Sequence, residues 1–100
     1  SMFVYSMAKA IRKGYLDKKY FAAVKFGYEG LINTFIVVDS LGIVTLTSNC
    51  QGAGLGGDPY RDGSFEYYIS EPVVDNDLKG VGPFIMASVE MEKLAMDGLK

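Results

Sequence analysis

The sequence predicts a mainly α chain with the layering of an α/α toroid, in which buried inner helices alternate with half-exposed outer ones. Three stretches carry that prediction. Residues 2–13 and 81–91 are apolar nearly all round, whereas residues 18–35 between them place their apolar side chains on one stripe. A helix apolar on every face must be buried on every face, while a striped helix keeps one face in water. The third stretch, residues 47–72, gathers Gly52, Gly54, Gly56, Gly57 and Gly63, the single Cys50, and a cluster of Tyr, Arg and acidic residues. Ordered loops of that length are usually functional, so the helices are expected to hold this one at the mouth of a site.

In chain order, the first helix is expected over about residues 2–13. Met2, Phe3, Val4, Tyr5, Met7, Ala8, Ala10 and Ile11 surround it, and Lys9, Arg12 and Lys13 lie near its end. Basic residues in a last turn and a glycine beyond, here Gly14, are stop signals. Asp17 is the expected N-cap of a second helix over about 18–35. Its stripe is Tyr20, Phe21, Val24, Tyr28, Leu31, Ile32 and Phe35. Gly27 and Gly30 each cost such a helix about 1 kcal/mol relative to Ala, which a close helix–helix approach would explain. The period then changes to two. Ile36, Val37 and Val38, a turn over 39–42, and residues 43–47 read as a β-hairpin, and 65–69 as a third short β segment. The last helix is expected to begin within 75–79 and run to about Met96, with Pro83 tolerable only near its first turn.

Residues 1–100 are therefore assigned to one domain, as a piece of it: helices at about 2–13, 18–35 and 78–96, with the hairpin and loop over 36–72. Two all-apolar helices need neighbours on every side, and one amphipathic helix cannot supply them. The chain is expected to leave large apolar patches exposed unless more of a parent chain, or a second copy, covers them. Its start inside an apolar segment points the same way; a short Ser-Met lead before a natural start is the alternative.

Composition narrows the function. The 49% apolar and 22% charged content is that of a folded domain. A net charge of −2 gives no electrostatic reason to expect nucleic acid or an anionic membrane as partner. No apolar run reaches spanning length, since Lys9, Arg12 and Lys13 interrupt the first. The absence of histidine removes the commonest general base and metal ligand. One cysteine cannot form an internal disulfide, so the redox compartment stays open.

Several motifs have bland readings. Residues 52–57 match G-x-G-x-x-G after a strand, but a dinucleotide site needs a helix directly afterwards, and turn residues 58–63 follow instead. Close approach of backbone to a ligand or another loop is the better reading. Residues 75–80 begin like a calcium loop, yet Lys79 and Met86 stand where oxygen ligands belong, so no metal site is assigned. Cys50 lacks a histidine base and reads as a small, partly buried packing residue. Glu90 and Glu92 point to different helix faces and read as solvated or salt-bridged. Arg61 has two readings: its planar fork could bind a carboxylate while Tyr60 stacks on a sugar ring, or it pairs with Asp62 or Glu66 and pins the loop. Asp62 beside Arg61 should stay ionised.

Two blocks carry a resemblance. SMFVYSMAKAIRKGYLDKKY (1–20) and AGLGGDPYRDGSFEYYISEPVVDNDLKGVGPFIMASVEME (53–92) resemble the C-terminal third of glycoside hydrolase family 105, the unsaturated rhamnogalacturonyl hydrolases, which are relatives of the family 88 unsaturated glucuronyl hydrolases. The resemblance implies the C-terminal part of an (α/α)6, six-hairpin-glycosidase-like toroid about three times this length, with the 47–72 loop on the active face. It implies removal of a 4,5-unsaturated uronic acid from pectin- or rhamnogalacturonan-derived oligosaccharides by hydration of the double bond. An Asp serves there as acid and then base, unlike the paired carboxylates of ordinary glycosidases.

That Asp is expected upstream of the matched region, so no catalytic residue is assigned here and the chain alone is expected to be inactive. Asn49, Cys50, Gln51, Tyr60 and Arg61 are the candidate substrate-binding residues, placed by loop position. No cofactor is implied. The compartment, cytoplasmic or periplasmic, stays open. The competing reading is a non-catalytic carbohydrate-binding or assembly module with the toroid fold.

Overall fold

The computed structural model describes residues 1–99. It is mainly helical: α1 (Met2–Arg12), α2 (Phe21–Phe35), β1 (Ile36–Val38), β2 (Val44–Leu46), β3 (Asn49–Cys50), α3 (Phe65–Ser70), β4 (Val73–Val74) and α4 (Leu78–Met96) follow in order. Among the described residues, no helix is long and apolar enough to cross a membrane.

The core lies where α1 meets α4 and α2. Val4, Ala8 and Ile11 of α1 are buried together with Phe21 and Val24 of α2 and Ala87 and Leu94 of α4. Small residues set the spacing. A Cβ on Gly27 would lie 3.1 Å from Val4 Cγ2, so the close approach expected of this glycine is real. Gly30 faces open space and has no such explanation. Tyr28 and Phe84 stack across α2 and α4, with ring centroids 6.3 Å apart. Glu90 of α4 is also buried, and Arg12 Nε and Nη2 of α1 donate to its two oxygens at 2.5 and 2.9 Å. Glu90 is thus salt-bridged, while its i+3 neighbour Lys93 stands farther off at 3.8 Å.

Several expected elements are corrected. Residues 65–69 form a helix, not a strand. Ser64 Oγ accepts from Tyr67 N at 3.1 Å, and Asp62 Oδ1 accepts from Ser64 N at 2.9 Å, so a capped start outweighs the β preference of the aromatic run. The second helix begins later than expected, because Asp17 caps a 3-10 turn at Lys18–Tyr20, through Lys19 N, before α2. Pro83 sits beyond the first turn of α4, where it removes one ladder hydrogen bond without ending the helix.

The hairpin closes as expected, with Ile36 opposite Leu46 and Val38 opposite Val44. Asp39 Oδ1 accepts from Leu41 N and Ile43 N, and Gly42 takes φ +81°, which the turn requires. The unexpected pairing is β3 with β4, Asn49 opposite Val74 and Cys50 opposite Val73. It ties the two ends of the long loop together.

Burial on every face is not what the chain achieves for α1 and α4. Each buries one face, and Phe3 (86% exposed), Ile85, Met86, Val89 and Met96 stand open, as do Phe26 of α2 and Val37, Val38 and Val44 of the hairpin. The shape agrees. Its Cα extents are 50 × 38 × 17 Å, and its radius of gyration of 16.4 Å exceeds the roughly 13 Å of a compact 100-residue domain. Its accessible surface of 7028 Å² exceeds the roughly 5600 Å² expected for a compact monomer of its mass.

Candidate functional site

The loop between β3 and β4 is folded around one of its own side chains. Gly56 and Arg61 exchange backbone hydrogen bonds at 2.8 and 3.1 Å, closing a tight turn in which Gly56 and Gly57 take φ of +72° and +90°. The Arg61 side chain turns back across this bend, and Nε donates to Gly56 O at 2.9 Å. The guanidinium lies on glycine backbone. A Cβ on Gly54 would stand 3.0 Å from Nη1, and one on Gly57 would stand 3.1 Å from Nη2. The glycine run therefore admits a cation, where the sequence left open only a ligand or another loop.

Two clefts open on this loop. One, of about 420 Å³, is lined by Asp58, Pro59, Arg61, Tyr67 and Glu71. Tyr67 Oη donates to Glu71 Oε1 one turn along α3, and this bond, ahead of burial, raises the phenol above its ordinary pKa; the nearby Arg61 pulls the other way. The second cleft, of about 300 Å³, is lined by Met2, Asn49, Cys50, Gly52, Ala53, Lys79 and Gly80. Asn49 Nδ2 donates to Leu46 O at 2.8 Å and Val74 O at 3.2 Å, which locks the side chain across the junction of hairpin and loop. Glu71 lies at the boundary between the clefts, its Oε2 3.9 Å from where a Gly52 Cβ would be. Among the described residues, no three His, Cys, Asp or Glu side chains gather as a metal would need. The first cleft offers a cation, a phenol and carboxylates beside an apolar proline ring, a mixture suited to a ring bearing several hydroxyls.

The family model of Glycosyl Hydrolase Family 88 matches residues 1–95. The chain belongs to that family. It is 41% identical over 101 residues to Protein Atu3128 of Agrobacterium fabrum and, to the same extent, to the 24.9 kDa protein in the picA locus of Rhizobium radiobacter. Both matches take in 95% of this chain and 43% of the relative. The solved structure of a C. acetobutylicum glycoside hydrolase from family 105 superposes with a TM-score of 0.86 at 50% identity, over 90% of this chain and 25% of that one. The family 88 chain thus spans less than half the length of these relatives and a quarter of the solved hydrolase. The relationship is to glycoside hydrolases, and the resemblance to families 88 and 105 stands.

In this family 88 chain the five residues selected from sequence do not converge. Asn49 and Cys50 line the second cleft, Arg61 the first, and Gln51 and Tyr60 neither. Gln51 N donates to Pro72 O at 3.0 Å, and Tyr60 is 77% exposed beside the first cleft's Arg61. Cys50 is exposed rather than partly buried, because the short β3 pairs it with Val73 at the rim, where Sγ–H donates to Gly52 O at 3.1 Å. Arg61 forms an ion pair with neither Asp62 nor Glu66 among the described residues; it pins the loop through a carbonyl instead. Asp62 is held ionised, its pKa lowered by the Ser64 hydrogen bonds and not by Arg61.

Tyr67, Glu71 and Lys79 were missed. Reading 65–69 as a strand separates Tyr67 from Glu71 by about 13 Å, whereas a helix makes them neighbours at i and i+4. The signal that could have found Tyr67 and Glu71 is Ser64 before the aromatic run, Glu66 in the first turn and Pro72 after it.

Proposed function

We propose that this chain is part of an unsaturated uronyl hydrolase, which removes 4,5-unsaturated uronic acid from pectin- or rhamnogalacturonan-derived oligosaccharides by hydrating the double bond. The observation that carries this reading is the 50% identity, at a TM-score of 0.86, to a glycoside hydrolase of family 105. In the proposed reaction an Asp outside these residues protonates the enol-ether double bond and then activates water; the resulting hemiketal opens and the glycosidic link is lost. This chain contributes binding. Arg61, Tyr67 and Glu71 contact a sugar ring in the first cleft, on which the exposed Tyr60 stacks, and Asn49 and Cys50 contact the oligosaccharide from the second cleft, beside Gln51.

The test follows loss of ultraviolet absorbance on an unsaturated disaccharide. The 100-residue polypeptide alone is expected to leave the absorbance unchanged, and a longer family 88 polypeptide containing it to abolish it. Turnover by the short chain would overturn the placement of the acid outside it. No turnover by the longer one, across unsaturated uronyl substrates, would overturn the hydrolase reading.

We also propose that the open apolar faces of α1, α4 and the hairpin are covered, by further parts of a parent toroid or by a second copy. The flat shape and excess surface support this. Light scattering on the purified chain is expected to give a mass above the 10.9 kDa monomer. A monodisperse monomer that unfolds cooperatively would contradict it.

A further inference from the structure

We propose that Arg61 is a positioning residue, an internal template that holds the 52–63 turn in shape and so presents Tyr67 and Glu71 to the first cleft. Its value as a positioning group rests on the hydrolase reading, but its geometry is testable without substrate. Two independent features point to it. Nε donates to Gly56 O at 2.9 Å across the same turn that the Gly56 and Arg61 backbones close. Gly54 and Gly57 also leave room for the guanidinium plane, where any Cβ would stand 3.0 and 3.1 Å from its nitrogens. Contacts that close are tighter than side chains ordinarily make, and at Gly57 the φ of +90° also disfavours any side chain. A planar fork can lie flat on two peptide units while donating sideways, and a lysine ammonium cannot. The guanidinium also lies beside Tyr67, and Ser64 caps α3 immediately after the turn, so the turn's shape sets where α3 begins.

The experiment is amide hydrogen exchange at positions 56 and 61 of the full chain, with titration of the Tyr67 phenol by labelled-tyrosine NMR, assigned through Tyr67→Phe. Losing a charge-assisted hydrogen bond predicts exchange about tenfold faster at both positions in Arg61→Ala. Arg61→Lys should be equally fast. Amides of α1 and α4 should not change. Tyr67 should titrate higher in Arg61→Ala, since a neighbouring cation is gone. Added methylguanidinium should restore slow exchange in Arg61→Ala, and methylammonium should not. Exchange in Arg61→Ala equal to the parent, or parent-like behaviour of Arg61→Lys, overturns the template. If Arg61→Ala loosens α1 and α4 as well, Arg61→Lys decides: it keeps the charge but loses the planar fork, and parent-like exchange at 56 and 61 there overturns the proposal. A hydrolase assay that fails leaves these readouts untouched.

Discussion

Arg12→Met is expected to leave Glu90 as a buried carboxylate without its bidentate partner, at a cost of about 3 kcal/mol of stability. Glu90 is 5% exposed, and Lys93 at 3.8 Å is too distant to replace two hydrogen bonds. Urea unfolding at one protein concentration would read the loss, because association also shifts apparent stability. The double variant Arg12→Met/Glu90→Leu should recover most of it, since a buried ion pair owes little net stability to its Coulomb attraction. A single variant as stable as the parent would show that the pair contributes nothing to joining α1 and α4.

The same pair predicts a pH dependence. The Arg12 hydrogen bond, ahead of the opposing effect of burial, holds the Glu90 carboxyl below its ordinary pKa. A depressed carboxyl contributes stability that is present above the unfolded-state value and lost as pH falls through the folded-state value. The parent chain should therefore weaken over the acidic range below the ordinary Glu pKa. In Arg12→Met that hydrogen bond is gone and burial is opposed only by the weaker pull of Lys93 and Lys9, so the carboxyl rises and the variant's deficit should narrow on acidification. A deficit independent of pH would refute the linkage.

Gly80→Ala is expected to cost about 2 kcal/mol and to reshape the second cleft. Gly80 lies in the first turn of α4, and a Cβ there would overlap Asn49 Oδ1 and stand 3.4 Å from Leu46 Cδ2. Asn49 cannot swing aside cheaply, because its amide donates to both Leu46 O and Val74 O. Displacing it takes that donor from Val74 O and leaves Leu46 O with Asn76 N alone, which loosens the β3–β4 base. Urea unfolding would show the destabilisation, and faster exchange at Gln51 N, which donates to Pro72 O, would show the loosened loop base. Helix propensity favours Ala over Gly, so a stabilised Gly80→Ala would mean that Asn49 relocates freely.

The three long helices and the hairpin were legible because each rests on local chemistry. Periodicity marks the apolar segments, Asp17 caps, Gly14 stops, and Asp39 with Gly42 makes a turn. What local reading missed came from competition or from distance. At 65–70 the β preference of Phe, Tyr and Ile competes with a Ser64 cap, and sequence pattern does not say which is stronger. The β3–β4 pair is two residues long and bridges 23 positions, so no periodicity exists to detect it.

The site divides along the same line. The sequence by itself determined that 47–72 is glycine-rich, that Arg61 is its one cation, and, through its blocks, the hydrolase family. Only the tertiary structure decided what those residues touch. Arg61 rests on Gly54 and Gly57 rather than on an acid, Glu90 lies buried against Arg12 from 78 residues away, and Asn49 and Arg61 fall into separate clefts. The physical reason is that caps, turns and amphipathic period act over a few residues. Hydrogen-bond partners of a side chain depend on which distant backbone the packing of α1 and α4, and the closure of the loop, bring within 3 Å.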